Sequence, residues 1–234
     1  HLGTELIAKT GSVGDLYLKL AQRDGTEIPL HAGAIVVATG VVHYTPRPGK
    51  FGYGLEGVVT LPDFHDGADL DGPALTFRGR PVSSVAFIYC VGSRQVETEE
   101  CPEPNSWCSR YCCKAATHLG TRLAAQEERG GHAVNQFHLY RDMRTYGHGE
   151  TLYERARRGG ALFVRFADDS PPSVLQGSDG LVVRVRDELS GGEELEIPAD
   201  LVVLVTGMVP RANERLIETL KVPVGKDGFL NEIH

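Results

Sequence analysis

Residues 85–121 decide the fold of this chain: VAFIYCVGSR (85–94) is followed by an irregular loop and then by WCSRYCCKAATHLGT (107–121). The run VAFIYC is apolar without interruption, which is typical of a strand buried on both faces of a parallel sheet. Gly92 supplies a tight turn after it, and the second part has the apolar spacing of a helix. The stretch therefore predicts a buried strand, a polar loop and an amphipathic helix.

The same stretch holds every cysteine of the chain, at positions 90, 101, 108, 112 and 113. Their spacing lacks the two C-x2-C knuckles of a zinc ribbon, the C-x2-C-x2-C run of ferredoxins and the C-x-x-C redox pair. An odd number of cysteines without a signal-peptide pattern favours redox or metal chemistry over a disulfide framework. Four of these thiolates suit a 4Fe–4S cluster, whose charge Arg94, Arg110 and Lys114 would offset. Buried structural thiols and zinc ligands stay open as alternatives.

Outside this stretch, apolar runs alternate with helical patterns. A small antiparallel meander begins the chain, and the order strand–helix–strand–helix–strand, hairpin, strand predicts an α/β fold with a mainly parallel sheet. We predict strands at 4–10, 15–21, 28–32, 34–37, 83–90, 133–140, 161–166, 181–186, 194–197 and 200–206. We predict helices from Asn105 or Ser109 to about 129 (ended by Gly130-Gly131), at 151–158 and at 213–220, and a strand-like tail from 222 to 234.

Composition narrows the class of protein. Of 234 residues, 41% are apolar and 24% charged, which is typical of a globular protein and excludes extensive disorder. The net charge of −7 argues against nucleic acid as a partner. No apolar run approaches the roughly 18–20 residues of a membrane span. We expect a cytoplasmic protein, and because the chain starts with His1 rather than Met, we expect it to be a piece of a longer one.

Two buried-strand patterns end in Thr-Gly: GAIVVATG with Thr39-Gly40, and ADLVVLVTG with Gly207. A glycine at the carboxyl edge of a sheet lets the backbone approach a ligand closely. The pair, with TGMVPRANE after the second copy, resembles the paired motifs of two-domain flavoprotein disulfide reductases. The glycine-rich dinucleotide fingerprint is absent after SSVAFIYC, so we expect NAD(P)H to bind poorly or not at all.

Several motifs together resemble the A subunit of heterodisulfide reductase and its flavin-containing iron–sulfur relatives. They are SVAFIYCVGSR, CSRYCC, GYG with VVTLPDF, LYRDMRTYGHGETLYERARRGGALFVR and DLVVLVTGMVPR. The resemblance implies a thioredoxin-reductase-like FAD/NAD(P)-binding fold and a 4Fe–4S cluster on Cys90, Cys108, Cys112 and Cys113. It also implies FAD in the full-length protein, near Thr39, Gly40, His118 and Gly207. Ferredoxin-like carriers and other subunits of a redox complex would be its partners.

Two features depart from the motifs, and a third lies within them without an assigned role. Cys101 matches no motif position, and we expect it to be a bystander in a loop longer than that of the family. His118 stands where the methanogen-type protein has a lysine, which puts electron bifurcation by that mechanism in doubt. The residues Arg141, Arg144, Tyr146 and His148 are expected to form a solvated loop, with a partner-docking or cluster-shielding surface as the alternative. The remaining histidines (31, 43, 65, 132, 138 and 234) show no metal-ligand spacing.

Two hypotheses follow. The first is an electron-transfer fragment of a flavin and iron–sulfur oxidoreductase, inactive by itself. The second is a non-catalytic α/β scaffold or docking module with reduced or zinc-binding cysteines. For the first we expect a partial FAD domain at 1–46, a connecting segment at 47–82 with one helical turn near 61–65, an inserted NAD-domain-like α/β domain at 83–206 and a return to the FAD domain at 207–234.

Overall fold

The computed structural model describes residues 1–99, 101–128, 131–178 and 180–231. The predicted helix stop at Gly130 and the last three residues of the predicted strand-like tail, with His234, lie outside these ranges. Two compact units are formed: residues 1–42 together with 209 onward, and residues 43–208.

The described chain contains many short strands and four α-helices. The strands are β1 (Thr4–Ser12), β2 (Asp15–Gln22), β3 (Glu27–Ala32), β4 (Val41–His43), β5 (Val58–Thr60), β6 (Ala68–Asp69), β7 (Thr76–Phe77), β8 (Arg80–Pro81), β9 (Ser84–Val91), β10 (Asn135–Tyr140), β11 (Leu162–Arg165), β12 (Ser173–Gln176), β13 (Leu181–Asp187), β14 (Glu193–Ala199), β15 (Leu201–Thr206) and β16 (Met208–Pro210). The α-helices are α1 (Leu61–Gly67), α2 (Tyr111–Glu128), α3 (Gly149–Arg158) and α4 (Glu214–Leu220), and short 3-10 turns occupy Lys50–Gly52 and Glu188–Ser190.

A five-stranded sheet organises the larger unit. Its order is β11-β10-β9-β15-β5, and every neighbouring pair is parallel. The chain leaves β9 through α2 to reach β10, and leaves β10 through α3 to reach β11, as crossovers between parallel strands require. It then returns through the antiparallel sheet β12-β13-β14 to place β15 on the other side of β9. The predicted α/β class with a mainly parallel sheet is confirmed.

The sheet buries a different layer on each face. The helix face carries Val85, Phe87 and Tyr89 of β9, packed with residues of α1 and α2. The hairpin face carries Ala86 and Ile88 of β9, packed with the aliphatic side chains of β12, β13 and β14. Strand residues point alternately to opposite faces, so one central strand supplies both layers.

The smaller unit holds the predicted antiparallel meander, β1-β2-β3. The predicted strand at Ala34–Val37 is wrong: residues 34–40 have no regular structure, and Val36 is 89% exposed. An apolar run becomes a buried strand only when neighbouring strands pair with it, and no described strand does so here.

Elsewhere the chain has more regular structure than its sequence indicates. Residues 47–82 include β5, an edge strand of the parallel sheet, and α1, which buries Leu61 and Phe64. Thr60 caps α1 through a capping box with Asp63, a pattern that locates the start of this helix. β12 has no counterpart among the predicted strands, and the described tail forms only a bridge between Val224 and Leu230.

No helix of the described chain is long and apolar enough to cross a membrane.

Candidate functional site

The end of β9 contains a bulge that determines where Cys90 lies. Ile88 pairs with Leu204 and Val91 pairs with Thr206, so two residues of β9 stand opposite the single Val205 of β15. Cys90 takes a left-handed conformation, with φ of 62°. The alternation is broken, and Cys90 packs on the same helix face as Tyr89 instead of the opposite one. A bulge of this kind re-aims a side chain, here a thiol toward α2.

The first turn of α2 carries two more thiols into the same layer. Cys112 and Cys113 are 2% and 1% exposed, and Ala116, Leu119 and Leu123 continue the buried face as predicted. The backbone reverses at Arg110, whose φ is 62°, immediately before the helix. This turn, rather than a capping Asn105 or Ser109, begins α2, because the helix starts at Tyr111.

The two adjacent thiols have pKa values that shift in opposite directions. The hydrogen bond to Cys113 and burial raise the pKa of Cys112. The same hydrogen bond lowers the pKa of Cys113 below the ordinary thiol value, and a backbone hydrogen bond from Arg144 and the charges of Arg144 and Arg94 add to that effect. Burial raises the pKa of Cys90, and the Arg141 guanidinium offsets part of this increase by its charge and a hydrogen bond. Three arginines therefore favour thiolates at this place.

Backbone contacts hold the loop between β9 and α2 against the strand end. The Asn105 amide donates to the carbonyl oxygens of Gly92 (2.7 Å) and Met208 (3.2 Å). Gln95 and Asn105 are joined by backbone and side-chain hydrogen bonds, and the Arg94 N–H donates to the Trp107 carbonyl (3.1 Å). The loop thus runs out and back as a ribbon and returns Cys108 toward the start of α2.

Two of the arginines are themselves fixed. Arg141 follows β10, donates to the Ser93 carbonyl (2.9 Å) and pairs with Asp168 (3.2 Å). Arg94 pairs with Asp142 at 2.8 Å. Arg141 and Arg144, expected in a solvated loop or at a docking or cluster-shielding surface, lie at the thiols, as the last of these alternatives requires. The available signal was the parallel pairing of β9 with β10, because adjacent parallel strands end at the same edge of a sheet.

The four predicted ligands are neighbours without forming a site for a single ion. Cys90 and Cys113 interact electrostatically, as do Cys108 and Cys112. Across the described ranges, no group of three or more His, Cys, Asp or Glu side chains is close enough to hold a metal ion. Cys108 is half-buried at the edge of an open groove with Arg94, Arg110 and Arg144.

Cys101 lies on the other side of the strand end. A turn with Thr98 fixes it, with backbone hydrogen bonds of 3.0 and 3.1 Å in both directions. It lines a cleft of about 320 Å³ together with Cys90, Arg94 and Arg141. The cleft opens at the carboxyl edge of the parallel sheet, where α/β folds commonly bind ligands.

The Tyr44 ring lies against Gly92 at the end of β9. Gly92 has a φ of 71°, and a Cβ added there would overlap the Tyr44 ring. Across the junction, a Cβ on Gly207 would lie 2.7 Å from the Gly92 carbonyl oxygen. The two glycines thus permit close packing between β9, β15 and Tyr44.

The remaining predicted site residues are spread over both units. In the smaller unit, the Thr39 hydroxyl accepts a hydrogen bond from Asn213 (3.3 Å), and Gly40 has a φ of 72°. In the larger unit, His118 is exposed on α2. Of the predicted balancing cations, Arg94 is at the thiols, Lys114 is exposed, and Arg110 lies over the Tyr146 ring at 5.7 Å.

Comparison with known proteins first gives a class: the curated relatives are oxidoreductase subunits. More particularly, they are A subunits of heterodisulfide reductase. The chain is 34% identical over 220 residues to the first iron-sulfur A subunit of CoB–CoM heterodisulfide reductase from Methanopyrus kandleri. It is 32% identical over 219 residues to the iron-sulfur A subunit from Methanocaldococcus jannaschii. Each match covers 89% of this chain and 32% of the relative.

The resemblance predicted from the motifs is confirmed, because the chain is homologous to a segment of the A subunit of heterodisulfide reductase. It spans about a third of the length of the relatives it matches. A further relative, from Methanothermobacter thermautotrophicus, is named as the A subunit of an H(2):CoB-CoM heterodisulfide,ferredoxin reductase and is 34% identical over 222 residues, which is 89% of this chain and 31% of the relative. No protein-family model matches the chain.

Among solved structures, similar chains include LpdA from Mycobacterium tuberculosis, at 16% identity and a TM-score of 0.45, covering 97% of this chain and 40% of that one. The bacillithiol disulfide reductase from Bacillus cereus matches at 17% identity and a TM-score of 0.38, covering 98% and 57%. At these scores the likeness adds nothing to the sequence match.

Proposed function

We propose that this chain is the electron-transfer segment of a flavin- and iron–sulfur-containing oxidoreductase subunit. In this proposal Cys90, Cys108, Cys112 and Cys113 hold a 4Fe–4S cluster. The observation that carries it is the bulge in β9, which turns Cys90 out of the strand's alternation and into the layer of Cys112 and Cys113. A bulge with a strained cysteine at its centre has no packing purpose that a plain strand would not serve.

The donor set suits a thiolate-bound cluster. Arg141 beside Cys90 and Arg144 beside Cys113 act to lower the pKa values of these thiols. Such positive charges stabilise thiolates, which are the ligands of iron–sulfur clusters. A structural zinc ion would need four ligands at about 2.0–2.3 Å around one point, whereas a 4Fe–4S cluster takes its four thiolates over a larger volume.

When bound, a 4Fe–4S cluster accepts and passes on single electrons. The protein's own contribution is to bury two of the ligands, to place Arg94, Arg141 and Arg144 against them, and to fix Arg94 and Arg141 through Asp142 and Asp168. Charge and hydrogen bonds at the sulfurs then set the potential. The loop ribbon supplies the fourth ligand, Cys108, from a half-buried position.

The whole protein would work with FAD and with partner proteins. The relatives are named as subunits of heterodisulfide reductases, and several of the names include ferredoxin. We propose FAD contacts at Thr39, Gly40 and Gly207, and His118 as a residue near the flavin. Ferredoxin-like carriers and other subunits of a related complex would exchange electrons with it. The reaction itself belongs to the complete protein in its complex.

The experiment is anaerobic preparation of the chain with iron and sulfide, followed by assay of both and by visible absorbance. We expect about four irons per chain and absorbance near 400 nm. Cys112→Ser and Cys108→Ser should lose most of the iron, while the matched change Cys101→Ser should keep it.

Fewer than about two irons per chain, with unchanged spectra in Cys112→Ser and Cys108→Ser, would refute the proposed cluster. Zinc content without visible absorbance would instead support a scaffold or docking module with zinc-binding cysteines. Loss of iron in Cys101→Ser but not in Cys108→Ser would identify Cys101, which lines the cleft, as the fourth ligand instead of Cys108.

A further inference from the structure

The open groove beside Cys108 has a volume of about 470 Å³ and a lining that ligand binding by the cysteines does not explain. Trp107 and Tyr146 lie in it with 46% and 52% of their surfaces exposed. Three arginines share the lining with these rings: Arg94, Arg110 and Arg144. The groove therefore presents both positive charge and aromatic surface to solvent.

The positive charge of the groove is only partly neutralised. Asp168 is the one carboxylate among its described lining residues, and it pairs with Arg141 at 3.2 Å. Arg94 forms an ion pair with a carboxylate at 2.8 Å. Within the described ranges, Arg110 and Arg144 have no carboxylate partner. Two uncompensated arginines side by side are unusual in a chain whose net charge is −7, and they favour an anionic partner.

The Arg110 side chain is held in place before any partner binds. Its guanidinium lies over the Tyr146 ring, 5.7 Å from the centroid. A cation over an aromatic face is attracted to it and has fewer positions available. Less conformational freedom is then lost when Arg110 meets a carboxylate, which favours binding.

The composition and shape of the groove are typical of a protein-binding surface. Tryptophan, tyrosine and arginine are the residues most enriched at the energetic centres of interfaces. Small molecules bind mostly in enclosed pockets that remove most of their surface from water. Because Trp107 and Tyr146 are about half exposed, this groove suits the surface of another protein better than an enclosed ligand.

Cys108 connects this surface with the cysteine site. It is half-buried and is the only proposed ligand among the described residues that line the groove. Cys112 and Cys113, in contrast, are 2% and 1% exposed. Electron exchange between two proteins requires their redox centres to approach one another. A protein docked in the groove would approach the proposed cluster at Cys108.

We propose that this groove is the docking surface for a small acidic electron-carrier protein, whose carboxylates pair with Arg110 and Arg144. In each transfer one protein loses the single electron that the other gains. The inference rests on the proposed function for a redox centre at the cysteines, whereas docking itself requires no iron.

The first arm of the test measures docking on the cluster-free chain. Trp107 is the only tryptophan of the chain, so its fluorescence reports the groove directly. Titration with an oxidised acidic ferredoxin that lacks tryptophan should change this emission. Raising the salt from about 0.02 M to about 0.3 M should weaken binding roughly tenfold or more, because the ions screen the charges. Absence of binding at low salt, or binding that salt does not weaken, overturns the proposal.

The variants change one exposed arginine at a time. Arg110→Gln should weaken binding about threefold or more, while Arg110→Lys, which keeps the charge, should retain most of the affinity. Arg157→Gln is the matched control, since Arg157 is an exposed arginine of α3 that is not in the lining of the groove. Equal affinity in Arg110→Gln and wild type, or equal losses in Arg110→Gln and Arg157→Gln, overturns the proposal.

A second probe separates an electron carrier from anions in general. Polyglutamate carries negative charge but has neither a folded surface nor a redox centre, and it should bind more weakly than the ferredoxin. If it binds as tightly and changes the Trp107 emission equally, the groove is a general anion surface and the proposal is overturned.

The second arm uses the iron-loaded chain and reduced ferredoxin in a stopped-flow experiment. At low salt Arg110→Gln should lower the second-order rate of cluster reduction about threefold or more, and Arg157→Gln should leave it unchanged. A rate that is the same in Arg110→Gln and wild type overturns the proposal, because electrons then enter elsewhere.

The two proposals fail in distinguishable ways. A chain that binds no iron but binds ferredoxin through Arg110 refutes the cluster and leaves the docking surface standing. A chain that binds iron but is reduced at a rate independent of Arg110 refutes only the docking surface.

Discussion

The two faces of the parallel sheet are built from the same strands but differ in chemistry. On the hairpin face, β9 and β15 present aliphatic side chains such as Ile88 and Leu204, packed on the aliphatic residues of β12–β14. On the helix face, the same strands meet three thiols, Tyr89 and a buried histidine. Buried polar groups of these strands are thus concentrated on the helix face, where the Tyr89 hydroxyl and His138 Nδ1 form a hydrogen bond.

The largest expected effect concerns Gly92, which follows β9, the strand that supplies both faces. Gly92→Ala should lower the free energy of unfolding by about 3 kcal/mol or more, because the new Cβ overlaps the Tyr44 ring and the φ of 71° is left-handed. Urea unfolding followed by circular dichroism measures the loss.

Gly160→Ala is the matched control. Its φ is 84°, and nothing lies within 4 Å of the added Cβ, so only the backbone term of about 1 kcal/mol remains. Equal losses in the two variants would show that Tyr44 does not pack on Gly92, and the strand end would then be open to a ligand.

The sequence predicts the sheet better than the site. The apolar run of β9 and the buried positions of α2 can be predicted because their periodicity is strong. The bulge at Cys90 cannot, since a run that is apolar on both faces has no alternation to break. The arginines at the thiols are recognisable in the sequence only as residues after a strand, and their place depends on the pairing of β9 with β10.

Two errors have a common physical origin. Residues 34–40 have the pattern of a buried strand but lack pairing partners among the described strands, and β5, only three residues long, gains its place from pairing with β15. Both outcomes depend on partners distant in the sequence, which local pattern does not encode. His138 likewise has no sequence signal beyond the lack of metal-ligand spacing, while its burial depends on Phe87 and Phe163 from neighbouring strands.

The next largest effect is a pH dependence of stability that arises from His138, the buried histidine of the helix face. An unfolded histidine binds a proton below about pH 6.5, whereas folded His138 stays neutral down to about 3. The unfolded state thus holds more protons in this window, and stability falls as the pH falls, by about 1.4 kcal/mol per pH unit.

From pH 7 to pH 5, wild type should therefore lose about 2 kcal/mol more than His138→Phe, measured by urea unfolding at both values. Phenylalanine keeps the stacking between Phe87 and Phe163 and removes the titrating group. Parallel pH profiles in the two proteins would contradict the buried neutral histidine.

A smaller effect tests the bulge itself. Cys90 holds a left-handed conformation that only glycine adopts without cost. Cys90→Gly should therefore be more stable than Cys90→Ala by about 1 kcal/mol, although both lack the thiol. The alanine variant is the control for loss of the side chain. If alanine were the more stable of the two, Cys90 would be in an ordinary strand conformation and its place on the helix face would need another cause.

The smallest effect is expected for Arg184, an exposed arginine of the antiparallel sheet. It contrasts with Arg141, which is largely buried near the thiols. Arg184 pairs with Glu196 at 2.8 Å across β13 and β14, but the side chains are 49% and 58% exposed. An ion pair this open contributes little, so Arg184→Gln should cost about 0.5 kcal/mol or less. Arg141, whose side chain is only 14% exposed, donates to the Ser93 carbonyl and pairs with Asp168. Arg141→Gln should cost about 1.5 kcal/mol or more, since it removes this donor from the carbonyl of buried Ser93. If the two variants lose equal stability in urea unfolding, Arg141 contributes no more than a surface charge. The chemical difference between the two faces would then be limited to the thiols.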